Sequence, residues 1–78
     1  MEKVKIFTTQ GCPYCHQAKD YLKSQSIDFE EVDLTSDQKA AAALVQQTGH
    51  TAVPQIQIDD QFIIGFDPKK IDELLKEN

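Results

Sequence analysis

The only cysteines of the chain stand at positions 12 and 15, separated by Pro13 and Tyr14. Two thiols at this spacing close into a disulfide if a helix begins directly beneath them, and the same placement suits thiolate chemistry. The thiolate is the form that attacks disulfides, whereas an ordinary cysteine, with a pKa of about 8.5, is mostly protonated at neutral pH. Pro13 fits the first helical position, where its missing N–H costs nothing and its φ is already set. The free N–H groups of Tyr14 and Cys15 are then expected to point at the Cys12 sulfur. Together with the positive end of the helix dipole they favour its charged form. Cys12 is therefore assigned as the attacking thiolate and Cys15 as the resolving thiol, and the assignment requires Cys12 to ionise more readily than a solvated cysteine.

Two other uses of the pair are a structural disulfide and half of a zinc site completed by His16 and His50. A structural bridge here closes a very small loop and stabilises little. Zinc sites usually carry a second Cys-x-x-Cys or closely paired histidines, and here the histidines are single and far apart. Redox chemistry is the better expectation.

The dithiol must be held by the elements around it. Val4 to Thr8 has the apolar run of a buried central strand, and Thr9-Gln10-Gly11 connects it to a helix expected from Pro13 to about Gln25. In that helix Cys15, Ala18, Tyr21, Leu22 and Gln25 recur at three- and four-residue spacing. Ile27 to Asp33 mixes Phe29 and Val32 with acids, as an edge strand would. Thr35 and Gln38 have capping-box spacing, so Thr35 is expected to cap a second helix that turns Ala41, Leu44, Val45 and Thr48 inward and ends before Gly49. Gln55 to Ile58 alternates like a half-exposed strand, Asp59-Asp60 fits a hairpin turn without the usual glycine, and Phe62-Ile63-Ile64 returns. Asp67-Pro68 then has the form of an N-cap followed by proline at the first helical position. The last helix carries Ile71, Leu74 and Leu75 inward and is expected to fray by Asn78.

The order is β-α-β-α-β-β-α. Parallel pairing with a right-handed crossover in the first unit and an antiparallel final hairpin give an α/β fold. It is a four-stranded mixed sheet with three helices, and the cysteines lie at the C-terminal edge of the first strand, where open α/β sheets usually place their chemistry.

A chain of 78 residues is expected to form one domain spanning 1–78. The net charge of −5, from 13 acidic and 8 basic residues with scattered lysines, disfavours nucleic acid and anionic membranes as partners. No run approaches the roughly 20 apolar residues of a membrane span. Met1-Glu2-Lys3-Val4 lacks the apolar stretch of a signal peptide. The expectation is a cytoplasmic monomer, in a compartment where a Cys-x-x-Cys pair cycles instead of staying oxidised.

Cys12-Pro13-Tyr14-Cys15 with His16 and Lys19, then Val53-Pro54-Gln55, then Gly65-Phe66-Asp67, run in an order that resembles the glutaredoxins of the thioredoxin superfamily, dithiol Cys-Pro-Tyr-Cys type. The resemblance implies a thioredoxin-like fold and a glutathione-dependent thiol–disulfide oxidoreductase that reduces protein–glutathione mixed disulfides and protein disulfides. It implies glutathione as reductant and no metal. A cis Pro54 beside the dithiol is implied, where proline alone suggests an ordinary trans strand start. The backbone of Val53 is implied to pair with the cysteinyl part of glutathione. Asp67, with Gly65 and Phe66 before it, maps to the position that meets the γ-glutamyl end, a role compatible with capping a helix. Tyr14 maps beside the bound tripeptide.

Departures from the pattern bear on the electron donor. Thr9 stands where many glutaredoxins carry lysine, Ala52 where threonine usually precedes Val-Pro (Thr51 is one position earlier), Ile64-Gly65 replaces Gly-Gly, and Phe66 replaces cysteine or serine. Gln46, Gln47 and His50 are open candidates for the glycyl end, and His16 is not assigned as a general base. Gly65-Phe66-Asp67-Pro68 also resembles the small redoxins that serve ribonucleotide reductase, some of which draw electrons from thioredoxin reductase. A zinc or iron–sulfur module is the remaining alternative, disfavoured by Pro13 and the second thiol.

Overall fold

The computed structural model describes residues 3–50 and 52–76. The elements are β1 (Val4–Thr8), α1 (Pro13–Ser24), β2 (Glu30–Asp33), α2 (Gln38–Thr48), β3 (Gln55–Ile58), β4 (Gln61–Ile64) and α3 (Pro68–Lys76). They build one sheet in the order β2-β1-β3-β4. β1 runs parallel to β2 and antiparallel to β3, and β3 and β4 form the antiparallel hairpin. This is the four-stranded mixed sheet with three helices of a thioredoxin-like fold.

Strand parity divides the sheet into two unequal faces. Val4 and Ile6 of β1, Ile56 and Ile58 of β3, and Ile63 of β4 meet Ala18 and Leu22 of α1 and Ile71 and Leu74 of α3 in one buried cluster. On the opposite face Lys5, Phe7 and Gln57 share a shallow groove with Ala40, Ala43 and Leu44 of α2. Tyr21 ties the two helices of the first face together by donating its hydroxyl to the Asp72 carboxylate.

Several boundaries differ from expectation for local reasons. Helix α1 ends at Ser24, and Gln25 is its exposed C-cap, not part of the inner stripe. Ser26 then adopts a left-handed φ of 58°, its N–H donating to the Lys23 carbonyl and the Ile27 N–H to the Leu22 carbonyl. Those paired bonds form a Schellman motif. Ile27 is spent on ending the helix, so β2 starts at Glu30 and not at Ile27; it is the edge strand, as expected. Helix α2 is capped by Asp37 and not Thr35, the Asp37 carboxylate accepting from the Ala40 N–H at 3.0 Å. Of its expected inner residues Leu44 is buried, whereas Val45 remains 38% exposed. Gly49 ends the helix at a φ of 74°. β3 is an interior strand, and Gln55 is buried, not half-exposed. Asp59 supplies the positive φ, 54°, that glycine would normally provide in the hairpin. Its carboxylate accepts from the Lys3 N–H and its own N–H donates to the Lys3 carbonyl. Asp67 caps α3 as expected, its carboxylate accepting from the Lys70 N–H at 3.2 Å. Asn78 and Thr51 lie outside the described residues.

Candidate active site

Sheet register brings the sequence motifs to one end of the molecule. Phe7 lies opposite Gln55 and Gln55 opposite Ile64, so the loop after β1, the segment before β3 and the loop after β4 leave the same edge of the sheet. The first carries the dithiol, the second Val53-Pro54 and the third Gly65-Phe66-Asp67.

Cys12 is the N-cap of α1, with extended backbone and Pro13 in the first helical turn. The Cys15 N–H donates to Cys12 Sγ at 3.2 Å. It is the one of the two expected donors that makes the bond; the Tyr14 amide does not reach the sulfur. Both thiols are free, Cys12 partly exposed and Cys15 buried. Burial, seconded by a hydrogen bond with Cys12, pushes the Cys15 thiol from an ordinary 9.0 up to about 11, while a Thr9 backbone group and the Lys19 charge pull it down. The motif therefore presents one accessible sulfur with an N–H aimed at it and one sheltered thiol kept protonated. Tyr14 stands 63% exposed beside the pair.

The Val53–Pro54 peptide is cis, and Pro54 is buried. Its carbonyl accepts from the Gly65 N–H at 2.8 Å, which ties the second motif to the third. Gly65 has a φ of 85°, a conformation available to glycine at little cost. Among the described residues the N–H and C=O of Val53 have no partner, so a short edge of backbone stands open. The Phe66 ring packs on Tyr21 of α1, ring centroids 5.9 Å apart and edge to face. Asp67 is exposed at the start of α3. Val53, the cysteines and Asp67 thus lie at one end of the sheet.

Neighbouring groups support this end of the sheet. Glu31 on β2 accepts from Thr8 Oγ1 at 2.9 Å and from Lys19 Nζ at 3.1 Å. The Lys19 hydrogen bond, then that of Thr8, holds its carboxyl below the usual glutamate range. The Thr35 hydroxyl accepts from the Gln10 N–H at 3.1 Å and so ties down the loop that leads to Cys12. Sequence patterns gave Thr35 a capping role because any of Thr35, Ser36 and Asp37 has a suitable oxygen; nothing local signalled a partner 25 residues away. Among the described residues no three His, Cys, Asp or Glu side chains converge as metal ligands would, and His16 and His50 do not join the cysteines in such a group. No helix among them is long and apolar enough to cross a membrane.

Residues 4–63 match the Glutaredoxin family. A glutaredoxin-like 8.6 kDa protein from the rubredoxin operon of Clostridium pasteurianum is 38% identical over 73 residues, covering 94% of this chain and 97% of that protein. Glutaredoxin 3 of Escherichia coli (strain K12) is 40% identical over 67 residues, covering 86% of this chain and 81% of its own. Among solved structures, the glutaredoxin-like NrdH-redoxin from Escherichia coli, described as having a thioredoxin-like activity profile, superposes with a TM-score of 0.85 at 30% identity. That superposition covers 92% of this chain and 93% of the other.

Proposed function

The chain belongs to the glutaredoxin family, and from that premise we propose that it is a glutathione-dependent thiol–disulfide oxidoreductase acting through Cys12 and Cys15. The observation that carries the proposal is the placement of Cys12 Sγ as the N-cap acceptor of the Cys15 N–H at 3.2 Å. An accessible sulfur at a helix start with a second thiol sheltered behind it is the arrangement that thiol–disulfide exchange through a mixed disulfide needs.

Cys12 thiolate attacks the glutathionyl sulfur of a protein–glutathione mixed disulfide. The new S–S bond forms as the old one breaks, and the protein sulfur leaves with the electron pair and takes up a proton. The Cys12 adduct is then opened by the thiolate of a second glutathione. On a protein disulfide, Cys15 loses its proton and attacks Cys12 sulfur, releasing the substrate thiolate and leaving Cys12–Cys15 oxidised. Two electrons and two protons from glutathione restore the pair. The open Val53 backbone is read as the edge on which the cysteinyl segment of the substrate adds as a short strand. Asp67 meets the substrate ammonium while capping α3, Gly65 and Phe66 shape the approach, Tyr14 flanks it, and Pro54 sits beneath it. Glutathione and disulfide-bearing proteins are the partners, the domain works as a monomer, and the reducing cytoplasm is the compartment in which such a pair turns over.

The test is the pair of single substitutions. Cys15→Ser retains deglutathionylation of a glutathionylated peptide, whereas Cys12→Ser loses it together with protein-disulfide reduction. Activity persisting in Cys12→Ser defeats the assignment.

A second donor is favoured by two features. The Phe66 ring is engaged with Tyr21 where glutaredoxins commonly carry a small residue, and Thr9 stands where lysine commonly attracts a glutathione carboxylate. Both features suit a redoxin reduced by thioredoxin reductase and passing electrons to an enzyme such as ribonucleotide reductase. Turnover coupled to glutathione and glutathione reductase, set against turnover coupled to thioredoxin reductase, decides between the donors.

A further inference from the structure

Gln55 is fully buried, at 0% exposure, and no step above uses its side chain. Its Nε2 donates to the His50 carbonyl at 3.0 Å and to the Ala52 carbonyl at 2.9 Å. Two carbonyl acceptors fix which end of the amide carries nitrogen. Oε1 is thereby turned elsewhere, and it has no partner among the described residues. Burying an amide oxygen without a donor is costly. An apolar side chain of similar size would fill the space without that penalty, so packing does not explain a glutamine here.

What the amide supplies is a hold on the His50 and Ala52 carbonyls, ahead of Val53. On the other side of the bend, the Pro54 carbonyl is fastened by the Gly65 N–H at 2.8 Å, and Gln55 itself is locked in the ladder between Phe7 and Ile64. Val53 therefore lies between two fastened stretches, with its own N–H and C=O unclaimed among the described residues.

We propose that Gln55 is a positioning residue for substrate binding, its amide clamping the His50 and Ala52 carbonyls so that the Val53 backbone is presented to the cysteinyl segment of a disulfide substrate. This rests on Val53 being the docking edge of the proposed oxidoreductase. A segment that must be ordered on binding reduces affinity in proportion to the time it spends out of shape. Competence for about a tenth of the time weakens apparent binding about tenfold. The sulfur chemistry, on another loop, is not affected.

The experiment compares the full chain with Gln55→Met, which keeps the bulk and removes both donors, and Gln55→Glu, which keeps the shape and sets oxygens against the carbonyls. KM and kcat are measured on a glutathionylated peptide, Cys12 reactivity by alkylation rate, and segment order by hydrogen exchange at the His50 and Gly65 amides, which donate to the Thr48 hydroxyl and the Pro54 carbonyl on either side of Val53. Expected for Gln55→Met are an unchanged melting temperature, a KM raised about tenfold, an unchanged alkylation rate and faster exchange at the His50 and Gly65 amides. Gln55→Glu raises KM and speeds exchange further, and it lowers the melting temperature because it buries a carboxyl group against two carbonyls. A KM that stays at the parent value in both variants overturns the role, whether or not the melting temperature falls. A parent chain that turns over no disulfide overturns the proposed function and this role with it, whereas normal parent turnover beside unaltered variants overturns this role alone.

Discussion

At the scale of single residues, Cys12 and Cys15 are the same side chain in opposite settings. One caps a helix at partial exposure, and the other is 2% exposed with its thiol pushed up to about 11, chiefly by burial. Attack by Cys15 on a Cys12 adduct needs its thiolate, and far below the pKa that fraction grows about tenfold with each pH unit. In the adduct Cys12 no longer holds a free thiol beside Cys15, but the larger cause, burial, remains. The intramolecular resolving step, followed by single-turnover release of peptide thiol, is therefore expected to accelerate steeply from pH 7 to 9; a rate flat over that interval would show that Cys15 ionises well below about 11. The same shift acts on stability. The folded state binds the Cys15 proton more tightly than the unfolded chain, so its contribution is fully present below an ordinary 9.0 and is lost as pH rises through about 11. The two thiols were legible in the sequence because their setting is local, a proline and a helix start. Gln55 was visible as part of a motif, but its burial was not, since alternation in Gln55-Ile56-Gln57-Ile58 says which residues share a face and not whether a helix covers it.

At the scale of elements, strands β1 and β3 and the cap of α3 coincide with their sequence signals because each is set by neighbours along the chain. The misplaced boundaries share one cause: more than one residue could do the job. Ile27 suits a strand, yet the Leu22 carbonyl takes its N–H at 2.9 Å to close α1. Thr35, Ser36 and Asp37 can each cap a helix, and Asp37 does so while Thr35 serves the dithiol loop. Substitution separates the two roles. Asp37→Ala removes the oxygen that accepts from the Ala40 N–H and is expected to cost about 1 kcal/mol in urea unfolding. Thr35→Ala leaves that cap intact and releases the Gln10 N–H, an exposed bond whose net contribution is expected to lie near the low end of about 0.5–1.5 kcal/mol. A larger loss from Thr35→Ala than from Asp37→Ala would return the cap to Thr35.

At the scale of the whole molecule, the two faces of the sheet are not equally held. The face under α1 and α3 buries Ile6, Leu22, Ile56 and Ile71 completely. Helix α2 sets only Leu44 fully against the opposite face, among the described residues, with Val45 at 38% exposure and the four alanines offering little apolar area. A helix of 11 residues is marginal in water by itself, and burying one leucine contributes about 1.5–3 kcal/mol, much of which the ordering of the chain offsets. Opening α2 therefore sacrifices less than unfolding the sheet, and the helix is expected to open as a local unit. Hydrogen exchange under native conditions checks this: the amides of Leu44 and Val45 should exchange with an opening free energy about 2 kcal/mol below those of Leu22 and Ile56, roughly a thirtyfold difference in protection. Leu22→Ala should lower global stability by about 2–5 kcal/mol, whereas Leu44→Ala should mainly lower the protection of α2 itself. Equal protection across α2, β1 and β3 would mean that the thin face is coupled to the thick one, with Gly49 and the Gln55 clamp, which follow α2 directly, as the coupling to examine.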